Sequence, residues 1–156
     1  APNHRLVKGT QEIEAAIQSL NKRGIPCILK IIENTPHTKL MQIISQADVV
    51  IDQLLLGTYA RLAIESMALG KPVLCYLRED LYEFNPIWKD CPIINVNPET
   101  IESTLEKILT SSREYWREVG EKGKDYIRRY HSYEYIGDRF DKIIKTISPN
   151  EIPEEK

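Results

Sequence analysis

The stretch spanning residues 47–77, ADVVIDQLLLGTYARLAIESMALGKPVLCYL, constrains this chain more than any other. An apolar run over residues 47–53 breaks at Gly57-Thr58. A helix-period segment carrying one glutamate, Glu65, follows, and Gly70-Lys71-Pro72 leads into a second apolar run that ends at Leu77. Near-continuous apolar runs suit strands buried on both faces, as in parallel sheets. Strand, tight turn, helix and strand in that order make a βαβ unit, and open sheets of such units bind ligands beyond the carboxyl ends of their strands, against helix N-termini. The polar residues where strand meets helix are therefore the candidates for function.

The rest of the chain continues the alternation. Thr10 is placed to cap a first helix whose apolar face is Ile13, Ala16, Ile17 and Leu20, at i, i+3, i+4 and i+7. Gly24 suits its left-handed C-terminus. Residues 26–32 (PCILKII) read as a strand, and residues 36–46 as a short helix with Leu40, Ile43 and Ile44 inward. Thr58 is the expected cap of a helix over 59–69, closed by Gly70. Strands over 72–77 and 92–96 flank a polar and aromatic loop over 78–90. Asn97-Pro98 is a helix start, with Ile101, Leu105, Ile108 and Leu109 as its buried face. Two more helices follow over 113–130 and 133–146. The fold class expected is α/β, a Rossmann-like parallel sheet flanked by helices, with right-handed crossovers. One domain covers residues 1–147, and residues 148–156 form a frayed tail. Because a helix follows Ala1-Pro2-Asn3-His4-Arg5 with no strand before it, the expectation is a piece of a longer protein, its first strand missing or truncated.

Composition excludes some classes. Lysine and arginine number 21 against 23 acidic residues, a net charge of −2, so nothing global points to nucleic acid or an anionic membrane as partner. Cys27, Cys75 and Cys91 lack metal-ligand spacing and read as buried free thiols of a reducing compartment, which makes a cytoplasmic protein the expectation. No apolar run reaches the length of a membrane span. The three histidines do not cluster, and Asp-x-Asp, Gly-x-Gly-x-x-Gly and Walker patterns are all missing. A metal-independent chemistry without hydride transfer is expected.

Four places carry the polar groups that matter. Arg5 and Lys8 flank the first helix entry, where cations oppose the helix dipole unless a bound anion joins them; the alternative is a solvated loop with two surface cations. Gly57-Thr58 opens another helix, leaving the N–H groups of Tyr59, Ala60 and Arg61 to face the crevice. Glu65 lies either on a solvated face beside Arg61 or in a polar cleft. Asp52-Gln53, ending a buried strand, either looks onto the crevice or caps nearby backbone N–H groups.

With those residues in view, Ala47-Asp48-Val49 followed by Glu65-Ser66-Met67-Ala68-x-Gly70-x-Pro72-Val73 resembles the donor-binding half of the retaining GT-B glycosyltransferases of group 1, glycosyltransferase family 4. The family pattern is an Ala-Asp-Val strand, a loop, Glu-Gly-Phe-Gly and then Glu-Ala-Met-Ala-x-Gly-x-Pro-Val, and it lies on residues 47–73 without gaps. Arg5-x-x-Lys8-Gly9 resembles the family's Arg…Lys-Gly loop, and Tyr130-His131-Ser132 its C-terminal segment. The resemblance implies that Glu65 binds ribose hydroxyls of a UDP- or GDP-linked sugar, and that Arg5 and Lys8 hold and stabilise the departing diphosphate. It implies that the backbone of Thr58, Tyr59, Ala60 and Arg61 meets the donor sugar and phosphates, and that Glu33, Asn34 and Thr35 line the nucleotide pocket. The family's first glutamate is Gly57 here, so the sugar contact has moved, with Asp52 or Gln53 as candidates, or the donor is unusual, or activity is lost.

The function so implied is transfer of a sugar from a nucleoside-diphosphate donor to a glycan or lipid-linked acceptor, with help from an N-terminal domain outside this chain. The full-length protein would sit in the cytoplasm or at the cytoplasmic membrane face, and the chain alone would bind nucleotide with little transfer. Lys8→Ala and Glu65→Ala are expected to weaken that binding while leaving the fold intact. Two alternatives stand beside it. One is a non-hydrolysing nucleotide-sugar epimerase, which needs further acid/base carboxylates. The other is a non-catalytic nucleotide-binding or receiver-like module with Asp52 as its acceptor.

Overall fold

The structure, a computed structural model, describes residues 5–147. The expected tail at 148–156 lies outside them. Helix α1 (Arg5–Lys8) is a single turn, and α2 (Thr10–Lys22) follows it directly. Gly9, not Thr10, holds the N-cap position: it is left-handed at φ 71, and Thr10 sits inside the helix with no side-chain cap. Gly9 is required there, since a Cβ would lie 2.9 Å from the Leu54 Cβ. The other end follows the sequence. Gly24 is left-handed at φ 81, and Ile25 N–H reaches back to the Leu20 carbonyl at 3.0 Å.

The sheet is smaller than the apolar runs suggest. It comprises β1 (Val50–Ile51), β2 (Val73–Cys75) and β3 (Ile94–Asn95), all parallel in the order β1-β2-β3. Its register sets Val50 beside Val73 and Leu74 beside Ile94. Ordered backbone extends a little further: Asp52 N–H donates to Leu74 O at 3.0 Å and Tyr76 N–H to Gln53 O at 2.8 Å. Past Cys75 the Asn95 side-chain amide replaces a strand, accepting from Leu77 N–H at 2.8 Å and donating to Leu77 O at 2.9 Å.

Residues 26–32 are extended but belong to no ladder, contrary to the strand expected there. A strand needs a partner backbone, and a cavity of about 720 Å³ separates this segment from residues 49–52. Asn21 ties it down, its side chain exchanging two hydrogen bonds with Cys27 N–H and O at 2.9 and 3.0 Å, while the Cys27 thiol donates to Ile17 O and Cys27 and Leu29 pack on the core.

Helices cover both faces of the sheet. Leu74 and Val96 point to one side, where α2 supplies Ile13, Ala16 and Leu20 and α5 (Ile101–Leu109) supplies Ile101, Leu105 and Ile108. Val73 and Cys75 point to the other, against Ile44 of α3 (His37–Gln46), Ala63 and Met67 of α4 (Arg61–Ala68), and Tyr126 of α6 (Arg113–Tyr130). β2 is thus apolar on both faces because both are buried, and each such side chain contributes about 1.5–3 kcal/mol. The helix expected over 59–69 starts only at Arg61, for reasons seated in the site described next. Between β2 and β3, Glu79–Glu83 and Pro86–Asp90 form two short 3-10 turns within the expected loop. Asn97 turns the chain into α5, its Oδ1 accepting from Glu99 and Thr100 N–H at 3.1 and 2.9 Å. The last helix, α7 (Tyr133–Ile147), buries none of its residues and leaves Ile136, Phe140, Ile143, Ile144 and Ile147 along an exposed stripe.

Candidate functional site

Polar groups gather at the carboxyl end of β1. Asp52 follows the strand directly, and its side chain is fully enclosed. One carboxylate oxygen accepts from Lys8 Nζ at 2.9 Å and the other from Ala60 N–H at 2.9 Å. Of the two roles left open for Asp52, this geometry is the capping one, with both oxygens engaged. It also moves the helix start. Asp52 holds Ala60 at the N-cap position, so α4 begins at Arg61, and Thr58 does not cap it. Among the described residues no acceptor meets the N–H groups of Arg61 and Leu62, which remain open at the helix mouth.

Gln53 is equally buried and holds the loop ahead of α4. Its Oε1 accepts from Leu56 N–H at 2.7 Å, and its Nε2 donates to the Thr58 carbonyl. Gly57 sits in the loop so fixed, left-handed at φ 77, with its carbonyl accepting from Arg78 N–H at 2.9 Å. A Cβ at Gly57 would lie 2.5 Å from Arg78 Cγ. The loop is therefore built for glycine at the position where the resembling family carries a carboxylate. Gly57→Glu is expected to lower stability by about 1–2 kcal/mol from the backbone alone, with displacement of Arg78 added. An urea-unfolding midpoint equal to that of the parent would contradict this.

Glu65 projects from α4 with one fifth of its side chain exposed. His37 Nε2 lies 2.9 Å from its Oε1, and Arg61 Nε lies 3.8 Å away. Both sequence alternatives thus hold in part, since Glu65 is beside Arg61 and still sheltered. No local pattern signals this histidine: His37 begins α3, 28 residues earlier, and packing of α3 on α4 brings it near.

Arg5 and Glu33 form a two-pronged pair at 2.8 and 2.5 Å on the surface. Hydrogen bonding to Glu33 raises the guanidinium pKa, and the bond from Arg5 holds the Glu33 carboxyl below its usual range. Both cations expected to meet an anion therefore already have a carboxylate partner, Arg5 in Glu33 and Lys8 in Asp52. Glu33 and Thr35 line a second cavity of about 520 Å³ together with Lys30, Lys39 and Gln42, whereas Asn34 does not; it is a left-handed residue at φ 47 in the turn between them.

Tyr59 turns away from this rim. Its hydroxyl bonds to Tyr126 Oη at 2.9 Å and His131 Nε2 at 3.0 Å, and Trp88 packs against its ring. Only its backbone stays on the α4 side of the site. Burial raises the pKa of both tyrosines, and it pushes the Cys75 and Cys91 thiols up to about 12 and about 11. All three cysteines are free, but only Cys75 is buried as expected; Cys27 and Cys91 are half-buried, because each lies in a segment with one side open. Among the described residues no group of three or more metal-ligating side chains occurs.

His131 yields a pH prediction. Burial lowers its pKa, so the folded chain keeps it neutral while the unfolded chain takes up a proton near the ordinary value of 6.5. Where the unfolded state binds more protons, stability rises with pH. His131 should therefore favour folding above about pH 6.5 and weaken it as pH falls below. Melting temperatures between pH 7.5 and 5.5 should fall less steeply in His131→Gln than in the parent. Parallel profiles would refute the assignment.

With this geometry in hand, comparison with protein-family models, curated proteins and solved structures returns no match to the chain. What is established is the class: an α/β domain with a small open parallel sheet and a polar rim at its carboxyl edge. No described helix is long and apolar enough to cross a membrane.

Proposed function

We propose that this chain is the nucleotide-sugar-binding domain of a retaining glycosyltransferase of the GT-B type, Rossmann-like in architecture. The observation that carries the reading is Lys8 on Asp52 at the carboxyl end of β1 together with the open N–H groups of Arg61 and Leu62, with Glu65 one turn along α4 and Arg5 three residues before Lys8 in α1. A nucleoside diphosphate needs cations and free N–H groups for its phosphates and a carboxylate for its ribose hydroxyls, and these residues supply each kind of group. The resemblance of residues 47–73 supports the same placement. Departure of the diphosphate would be stabilised by fixed dipoles and charges aimed at the developing negative charge. Arg5 would act by exchanging Glu33 for a phosphate, and Lys8 through its N–H groups not spent on Asp52.

The transferred sugar and its acceptor call for surfaces from a further domain, so nucleotide binding is the property to test. Calorimetric titration and thermal shift with UDP, GDP, ADP and their sugars should find one nucleotide that raises the melting temperature, since a ligand selective for the folded state stabilises it. Glu65→Ala should weaken that nucleotide about tenfold or more, the loss of a hydrogen bond to a charged group. The melting temperature of the unliganded variant should barely move, because the present partners of Glu65 are the exposed side chains of His37 and Arg61. Titrations unchanged by Glu65→Ala, or no nucleotide bound at all, would remove the proposal.

A further inference from the structure

We propose that residues 33–37 form an autoinhibitory strap, which occupies Arg5 and Glu65 in the unliganded protein and leaves both when nucleotide binds. The inference rests on the nucleotide-binding reading above and says how that site is regulated. Its ground is that one short segment holds both groups. Glu33, at the start, takes the Arg5 guanidinium on two oxygens, at 2.8 and 2.5 Å. His37, at the end, stands 2.9 Å from Glu65 Oε1, and since an ionised carboxylate only accepts, Nε2 carries the hydrogen.

The chemistry of the two contacts is that of the proposed ligand. Paired carboxylate oxygens meet an arginine fork as two phosphate oxygens do. The His37 N–H meets Glu65 as a ribose hydroxyl would, one donor on one carboxylate oxygen. The segment therefore offers an anion to the cation and a donor to the carboxylate. A nucleotide brings the same complement, so the two compete for the same groups.

Local structure fixes the spacing of the contacts. Asn34 is left-handed at φ 47, a conformation uncommon outside glycine, and the Thr35 hydroxyl donates to the Glu33 carbonyl at 2.9 Å. Pro36, its φ held by the ring, then leads into α3, where Leu40 N–H donates to the Pro36 carbonyl at 2.9 Å. Four peptide steps reach at most about 14 Å, so the two contacts are held close together. The released carboxylate also has somewhere to go. Glu33 lines the cavity of about 520 Å³ with Lys30 and Lys39, and among the described residues neither lysine has an ion-pair partner.

All four side chains are partly exposed, so neither contact contributes much to the fold. Removing Glu33 or His37 is thus a clean test, and it carries a sign. Side chains that bind the nucleotide weaken binding when they are lost; side chains that compete with it tighten binding.

The experiment is calorimetric titration of the whole chain with UDP, GDP, ADP and inorganic pyrophosphate, in the parent, Glu33→Gln, His37→Ala and the double variant. Each single variant should bind the nucleotide about two- to fivefold more tightly, the range of an exposed ion pair, and the double about tenfold. Melting temperatures without ligand should match the parent's. Pyrophosphate has no ribose, so Glu33→Gln should tighten it and His37→Ala should not. Glu14→Gln controls for charge alone, because Glu14 acts on Arg5 through space without a hydrogen bond. Weaker or equal nucleotide binding in Glu33→Gln or His37→Ala overturns the proposal, as does equal tightening by Glu14→Gln. The reading of the site survives those results wherever Glu65→Ala still weakens the nucleotide. Binding of none of the four probes removes the strap and that reading together.

Discussion

Gly120→Ala is expected to destabilise the fold by about 2 kcal/mol, although alanine is the better helix former by about 1 kcal/mol. Gly120 lies in the middle of α6, where intrinsic propensity argues for any other residue. The packing argues otherwise. A Cβ at Gly120 would lie 2.1 Å from the Gly70 carbonyl oxygen and 2.9 Å from its carbon. Both are backbone atoms in the turn that closes α4, where Gly70 is left-handed and Lys71 N–H donates to Ser66 O at 2.9 Å. That turn has no flexible side chain to move aside, so α6 must shift away from α4 and lose contacts along its length, including Gly123 on Met67. Overpacking of this kind costs about 1–3 kcal/mol and more against backbone, which outweighs the helical gain. Gly137 in α7 supplies the control, because a Cβ there meets nothing within 4 Å. Gly137→Ala should be neutral or stabilise by up to about 1 kcal/mol. Urea unfolding of both variants tests the pair, and a Gly120→Ala protein as stable as the parent would mean that α6 does not approach α4 this closely.

Lys8→Ala should cost about 2–4 kcal/mol, toward the lower part of the range for breaking a buried ion pair because Lys8 itself is one fifth exposed. The carboxylate it leaves behind is fully enclosed, with Ala60 N–H as its remaining partner. This corrects the expectation that Lys8→Ala leaves the fold intact. The double variant Lys8→Met with Asp52→Asn should recover part of the loss, since it removes the stranded charge, and a double-mutant cycle measures the coupling. Additive losses would show that the pair contributes nothing. The practical result concerns binding experiments: weaker nucleotide binding by Lys8→Ala would mix a lost contact with a disturbed site, whereas Arg5, exposed on the surface, can be removed cleanly.

The parts of this fold written in the sequence are those decided locally. The i, i+3, i+4, i+7 face of Ile13, Ala16, Ile17 and Leu20, the left-handed Gly24, and the βαβ pattern of residues 47–77 each follow from neighbours along the chain. What escaped depends on partners distant in sequence. Residues 26–32 satisfy every local rule for a strand, yet a ladder is a property of two segments, and the neighbouring position is empty of described chain. Arg5 with Glu33, Lys8 with Asp52 and His37 with Glu65 span 28, 44 and 28 residues, so periodicity gives no sign that these polar groups already have partners. Tyr59 was visible only as part of a turn, because its partners Tyr126 and His131 come from the far end of the chain. Asp52 shows how a distant partner moves an element: along the chain Thr58 is the nearest cap, but Asp52 holds Ala60 instead, and α4 begins two residues later than the pattern over 59–69 predicts.

The buried amide of Gln53 gives the loop ahead of α4 a property of its own. One side chain serves Leu56 N–H and the Thr58 carbonyl together, on either side of Gly57. One buried amide thus couples the two ends of the segment. Between them Gly57 has a tether of its own, its carbonyl accepting from Arg78 N–H at 2.9 Å. With a single side chain bridging the loop, hydrogen exchange should show its amides opening at one shared rate.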